Sequence, residues 1–325
     1  DSATGTVVNL SGAGVYVFDT VTGTARKAAD VGPFDVDGST LFVAHGNTVT
    51  SQPVAGGATS NTMTVAGATE LKWIEVAPTD NVLTMWTSSA PNAPTVTYLH
   101  TTLVNAGGAV VPTDLNEDRF VEWSPDGSYF VVHDYRGLRA IKADGTSLWG
   151  PIASPDEFPN DMEFSPDGAH ILIAFGHDKT FSFDVVAKTW TAVAVQGTVS
   201  FANNGRFAAT PLTPAGWDGR NQLGTIISDL AGHSEVLSKT GAEPELSPTG
   251  TLALVYDRPI GAVAYDDYED TMRLVDLNGS VLYTLTHKAS VFGRDMARLG
   301  STHGNRLEGP RWSADGRFVV VGLSS

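Results

Sequence analysis

The chain has 325 residues, 17% of them charged, with a formal net charge of −16 and no cysteine. The acidic surface repels the phosphate backbone, and no basic stripe offsets this, so nucleic acid is excluded as a partner. Without cysteine there are no disulfides, thiolate zinc sites or cysteine nucleophiles. No apolar stretch reaches the ~20 residues that span a bilayer, so we expect no direct membrane insertion.

One short phrase recurs along the whole chain. Its clearest copies are Trp-Ser-Pro-Asp-Gly at 123–127, Phe-Ser-Pro-Asp-Gly at 164–168 and Trp-Ser-Ala-Asp-Gly at 312–316. In chain order the copies and their weaker variants occupy residues 35–38, 75–81, 122–127, 163–168, 200–205, 245–250 and 311–316. Most of their spacings lie near the ~40–45 residues of one four-stranded propeller blade. Seven copies therefore predict seven blades.

The residues around each copy predict the strands of a blade. Pro, Asp and Gly favour a tight turn, and a β-rich run follows it. These runs are 41–43, 82–86, 129–132, 171–173, 252–255 and 318–321. A second turn recurs at 19–23, 144–145, 229–232 and 276–279. Each unit thus reads strand, turn, strand, loop, strand, turn, strand.

The two chain ends predict closure of a ring. After Gly316 one β-rich run remains, and the first thirty residues supply two more. Pairing the ends removes an open sheet edge. We predict an all-β, seven-bladed β-propeller of four-stranded antiparallel blades, forming a single domain over 1–325. Its last blade is formed by about 310–325 plus 7–30.

The repeated phrase resembles the repeat of TolB-like, WD-repeat-like bacterial propellers, and the resemblance covers nearly the whole chain. It implies the fold but carries over no catalytic residue. The TolB ring resembles a six-bladed propeller with an extra N-terminal domain, whereas this sequence predicts seven blades and no extra domain. The specific TolB role is therefore not carried over.

Three long insertions in blades five to seven are the candidate binding region. They lie at 210–221, 258–270 and 287–309, and we expect them on one face, the loop face, where strands two and three and successive blades are joined. Long loops on a rigid scaffold concentrate binding residues, and aromatic residues with arginine commonly anchor interfaces. The alternative is that they are ordinary solvated insertions. The candidate binding residues are Trp217, Asp218, Arg220, Arg258, Tyr265, Asp267, Tyr268, Phe292, Arg294, His303 and Arg306.

Carboxylates and histidines leave a metal site open. The residue before the aromatic anchor is acidic in five blades, namely Asp35, Glu75, Glu122, Glu163 and Glu245. Such acids on innermost strands either surround a cation such as Ca²⁺, or cap backbone donors and pair with arginines such as Arg119 or Arg311. We favour the second interpretation and predict no cofactor. His45, His133 and His177 follow the second strands of their blades, and His303 lies in a long loop.

Two functions follow from these patterns. The first is a non-enzymatic binding scaffold that takes a protein or glycan partner on the loop face of blades five to seven. The second is a metal-dependent polysaccharide lyase or hydrolase with histidine ligands on that face. The start at Asp1 without methionine favours a processed, extracytoplasmic protein, secreted, periplasmic or at the cell surface. Membership in a larger chain or complex is a third alternative.

Overall fold

A computed structural model describes residues 5–90, 93–115, 120–156, 159–175, 179–211, 225–238, 242–257, 270–287 and 310–323. Within these ranges the chain is all-β and contains no helix. The strands form seven sheets, each with four antiparallel strands in sequence order except where the chain ends meet, and one sheet has a fifth strand in addition. The predicted seven-bladed propeller is confirmed.

The first four blades follow one another directly along the chain. Blade one contains β4 (Phe34–Asp37), β5 (Thr40–His45), β6 (Thr48–Pro53) and β7 (Asn61–Thr64); blade two contains β8 (Glu70–Val76), β9 (Val82–Ala90), β10 (Ala93–Val104) and β11 (Val110–Val111). Blade three contains β12 (Phe120–Trp123), β13 (Tyr129–Asp134), β14 (Gly137–Lys142) and β15 (Ser147–Ile152); blade four contains β16 (Pro159–Phe164), β17 (His170–Phe175), β18 (Lys179–Asp184) and β19 (Thr189–Val193).

The remaining three blades include both chain ends. Blade five contains β20 (Val195–Phe201), β21 (Phe207–Pro211), β22 (Thr225–Ser228) and β23 (Ser234–Ser238); blade six contains β24 (Ala242–Leu246), β25 (Leu252–Asp257), β26 (Asp270–Asp276) and β27 (Val281–His287). Blade seven contains β28 (Arg311–Trp312) and β29 (Phe318–Leu323), completed by β2 (Gly14–Asp19) and β3 (Thr24–Ala29). The first strand of each blade lies innermost, because these strands contact one another around the ring.

The repeated phrase builds the turn between the first and second strands. In blade three the Ser124 hydroxyl donates to Asp126 Oδ1 at 2.7 Å and contacts the Tyr129 carbonyl at 2.7 Å. Gly127 has a φ of +66°, a conformation that glycine adopts without steric cost. Ser165 and Ser313 make the same bonds to Asp167 and Asp315, at 2.7 and 2.6 Å. The phrase therefore specifies a turn, which explains its repetition.

Hydrophobic cores fill the seams between neighbouring blades. The seam between blades three and four, for example, buries Val131 and Leu138 against Phe164 and Phe175. The apolar runs of the second strands are buried on both faces, as expected for strands covered by a blade on each side. The ring is thus held by side-chain packing between blades as well as by hydrogen bonds within them.

Strand β1 (Thr6–Leu10) adds a feature that the sequence did not predict. It pairs parallel with β27 and forms a fifth strand at the outer edge of blade six. The contribution of the N-terminal segment to the last blade is therefore the part from Gly14 to Ala29, and not all of 7–30. The chain crosses from blade six to blade seven at Ser11–Gly14, where the Tyr16 hydroxyl donates to the Gly12 carbonyl at 3.0 Å.

Candidate functional site

The inner-strand acids bond across the seams between blades. Glu75 Oε1 accepts the Trp123 backbone N–H of the next blade at 2.8 Å, and Glu163 Oε1 accepts that of Phe201 at 3.1 Å. Asp35 Oδ2 accepts the Val76 N–H at 2.7 Å. These three carboxylates bond to the residue that follows the acidic position in the next blade, so they act as inter-blade clamps. Glu122 and Glu245 occupy the same position in their own blades.

Blade five carries a serine where five other blades carry an acid at this position. Ser200 Oγ accepts the Leu246 N–H at 2.9 Å, in a buried position. A neutral hydroxyl therefore makes the same inter-blade bond as a carboxylate. This shows that the position requires a hydrogen-bond acceptor, and that a negative charge is not essential to it.

The junction of blades seven and one adds the predicted arginine pair. Arg311 Nε donates to Asp35 Oδ1 at 2.9 Å, and both side chains are largely buried. The expectation that the acids cap backbone donors or pair with Arg311 is thus correct for Asp35, Glu75 and Glu163, although the donors lie in the next blade and not locally. Arg119, the other arginine considered, lies outside the described residues.

The histidines occupy different environments. His45 is exposed at the end of β5, whereas His133 is 2% exposed and packs edge-to-face on Phe175 at 5.5 Å between ring centroids. His177 and His303 lie outside the described residues. Across the described ranges, no group of three or more His, Asp or Glu side chains is arranged to hold a metal ion.

The candidate binding residues of blades five to seven also fall outside the described residues. These are Trp217, Asp218, Arg220, Arg258, Tyr265, Asp267, Tyr268, Phe292, Arg294, His303 and Arg306. The strands that flank their segments are described. They are β21 and β22 for 212–224, β25 and β26 for 258–269, and β27 and β28 for 288–309.

The connections between second and third strands differ sharply around the ring. In blade one only Gly46 and Asn47 separate β5 from β6, and in blade three only Tyr135 and Arg136 separate β13 from β14. In blades five and six the same connection takes residues 212–224 and 258–269. Hairpin loops normally have two to five residues. Among the blades whose second and third strands are joined by one continuous segment, blades five and six therefore have the longest connections.

A second polar site, which the sequence did not predict, lies at the same end of blade three. Arg139 donates to Asp114 Oδ1 at 2.7 Å and to Asp134 Oδ2 at 3.0 Å. Arg136 donates to Asp114 Oδ2 at 3.1 Å and to Asp134 Oδ2 at 2.8 Å through Nε. Two guanidinium groups and two carboxylates thus form a closed network of zero net charge.

The network holds its carboxylates ionised. Burial acts to raise the pKa of Asp114, but the charges and hydrogen bonds of Arg139 and Arg136 outweigh it and lower the pKa below the ordinary value. Burial also acts to raise the pKa of Asp134, but the hydrogen bonds of Arg136 and Arg139 and the Arg139 charge together outweigh it and lower that pKa. Asp114, with its side chain 62% exposed, is therefore an ionised acceptor that solvent can reach.

The comparisons with known proteins concern the fold. No family model and no curated protein matches the sequence. Among solved structures, one described as "putative TolB from Agrobacterium tumefaciens" aligns with 15% identity and a TM-score of 0.48, covering 96% of this chain and 98% of that one. The tricorn protease aligns with 12% identity and a TM-score of 0.56, covering 94% of this chain but 35% of that one.

These identities are too low to transfer a substrate or partner. No helix in the described parts of the chain is long and apolar enough to cross a membrane. The propeller fold that the repeats indicated is confirmed by the seven sheets of the structure. The chain is a seven-bladed β-propeller, and its fold is similar to the aligned part of the tricorn protease.

Proposed function

We propose that this propeller is a non-enzymatic, extracytoplasmic binding scaffold that takes a protein or polymer partner at the loop face of blades five to seven. The observation that carries the proposal is the length of the connections in blades five and six, 212–224 and 258–269, against two-residue turns in blades one and three. The closed ring of clamped blades supplies a rigid support. Rigid scaffolds with long loops commonly bind through those loops.

The composition of the long segments supports a partner of this kind. They contain Trp217, Tyr265 and Tyr268 together with Arg220 and Arg258. Aromatic and arginine side chains contribute much of the binding energy at protein interfaces. A net charge of −16 disfavours a strongly anionic partner and favours a neutral or cationic one.

Loop deletions test the proposal. Variants that lack 259–269 or 289–307 are compared with the wild type by cross-linking and quantitative mass spectrometry of captured proteins and glycans. The matched control is Val186→Ala, because Val186 is 86% exposed in a turn at the opposite end of blade four. We expect a partner that wild type and control both capture and that each deletion loses. Equal capture by all variants would place the binding surface elsewhere.

A further inference from the structure

A groove of about 420 Å³ lies between the outer parts of blades two and three. One wall is the segment Pro112–Asp114, which leaves blade two after β11, and the other is formed by residues of β14 and β15 such as Arg139 and Ser147. Its volume is within the range of small-molecule pockets. The groove is distinct from the long segments of blades five to seven.

The residues that line one wall of the groove follow strands β14 and β15. Its lining extends from Arg136, just before β14, to Gly145, just after it. At ~3.3 Å per residue, a six-residue strand gives a length of roughly 20 Å. At Gly145 an added Cβ would lie 2.3 Å from the Pro112 carbonyl oxygen, so glycine is required where the two walls meet. This shape suits an extended chain better than a compact ligand.

The polar groups at one end are paired but accessible. The carboxylate of Asp114 is 62% exposed, and the side chain of Arg136 is 29% exposed. An ionised carboxylate accepts hydrogen bonds, and a guanidinium donates them. Since the network has no net charge and the whole protein is acidic, it offers hydrogen bonds without selecting for an anion. Vicinal hydroxyl groups, which both donate and accept, match such a pair.

An exposed aromatic ring stands beside this network. Tyr135 is 88% exposed at the tip of the β13–β14 turn, and the Arg136 guanidinium lies over its ring at 5.5 Å. This contact lies next to the groove, because Arg136 also lines it. An exposed ring of this kind provides an apolar platform with a polar hydroxyl. The combination of a flat ring, a carboxylate and a guanidinium fits the C–H faces and hydroxyls of a sugar.

We propose that the groove between blades two and three binds a neutral oligosaccharide chain, with Tyr135 stacking on one sugar ring and Asp114 and Arg136 bonding its hydroxyls. This site is separate from the partner surface of blades five to seven and does not depend on it. Tyr135 and Ser147 are the positions that test it, because both are exposed and their replacement removes no core packing.

The experiment is isothermal titration calorimetry of the full chain with cellohexaose, maltohexaose and mannohexaose. We expect at least one to bind with a Kd below about 1 mM. Tyr135→Ala should weaken that binding about three- to tenfold, the usual size of an aromatic contact. Ser147→Trp, which fills the groove, should abolish it. Thermal unfolding of both variants verifies that they fold.

Matched controls separate this site from others. Val186→Ala and the 259–269 deletion should both bind the hexasaccharide as the wild type does. Galacturonate hexamer and a (Gly-Ser)₆ peptide serve as anionic and peptide probes. The proposal is overturned if no neutral hexasaccharide binds, if Tyr135→Ala and Ser147→Trp bind as wild type does, or if only the peptide or the galacturonate binds.

Discussion

The buried His133 should make the stability of the ring fall as the pH drops from 6.5 to about 4. The side chain is 2% exposed, and neither ring nitrogen has a hydrogen-bond partner among the described atoms. Burial lowers the pKa of His133 from 6.5 to about 4, and the nearby Asp134 charge offsets this only in part. The folded protein therefore keeps His133 neutral, while the unfolded chain protonates it near pH 6.5.

The sign and size follow from proton linkage. Between pH 6.5 and about 4 the unfolded state binds one proton more at this residue, so acidification favours unfolding. The contribution of His133 to the free energy of unfolding is therefore largest above pH 6.5, decreases as the pH falls to about 4, and stays constant at lower pH. A pKa difference of this size corresponds to about 3 kcal/mol at 1.36 kcal/mol per unit.

The carboxylates of the repeated turns affect stability at lower pH than His133 does. Hydrogen bonds within the repeated turns lower the pKa of Asp126, Asp167 and Asp315 below 3.8. Their stabilisation is complete above pH 3.8 and is lost as the pH falls further through their folded values. The loss of stability between pH 6.5 and about 4 can therefore be assigned to His133 by comparing the wild type with His133→Leu.

Urea unfolding at constant ionic strength measures the effect. The free energy of unfolding is compared for wild type and His133→Leu from pH about 7.5 to about 4. Leucine keeps an apolar side chain beside Phe175 but cannot titrate. We expect the wild type to lose about 3 kcal/mol more than His133→Leu over this range, and the exposed-site control His45→Gln to follow the wild type. Parallel pH profiles for wild type and His133→Leu would refute this account of His133.

Four further predictions concern the seams, the closure and the metal. Ser200→Ala removes the acceptor of the buried Leu246 N–H and should lower the free energy of unfolding by about 1–3 kcal/mol, measured by urea unfolding. Ser128→Ala, at an exposed turn, is the control, and equal unfolding midpoints for the two variants would contradict the inter-blade bond of Ser200. Asp35→Asn removes the charge partner of Arg311 and should lower the free energy of unfolding by about 3 kcal/mol in the same assay. A smaller decrease than that of Ser200→Ala would contradict a stabilising ion pair between Asp35 and Arg311. Leu10→Ala, in the core that joins blades six and seven, should lower the free energy of unfolding by about 2–5 kcal/mol in urea unfolding. Val7→Ala, on the exposed side of β1, is the control and should change it by no more than about 0.5 kcal/mol. Elemental analysis of purified protein should find no stoichiometric divalent metal, and a stoichiometric metal that is lost in His177→Ala would favour the lyase or hydrolase.

The blade pattern could be predicted because it depends on local chemistry. Each phrase closes its own turn through bonds two to five residues apart, such as those of Ser124 with Asp126 and Tyr129. The spacing of these turns then fixes the number of blades. Strand β1 could not be predicted in this way, because parallel pairing with β27 joins segments from opposite parts of the chain and leaves no local signal.

The polar network of blade three escaped prediction for a similar reason. Arg136 bonds Asp134 within one hairpin, but Asp114 reaches Arg139 from the segment that leaves blade two. Sequence spacing gave no sign of that approach. His133 was expected just after the second strand of blade three, on the loop face, but it lies within β13 and is buried against Phe175 of the next blade. Side chains that face a seam cannot be distinguished from exposed ones by counting from a turn.

Three of the inner-strand acids lie in different seams, where each accepts a backbone N–H of the neighbouring blade. A metal requires ligands of several residues that converge on one point, within ~2.6 Å for Ca²⁺. Residues at one register of a ring of blades instead point to equivalent places, each in its own seam, as Asp35, Glu75 and Glu163 do. Their geometry serves the backbone N–H of the neighbouring blade. Binding should therefore be sought at the features that break the ring symmetry. These are the long segments of blades five and six and the groove between blades two and three.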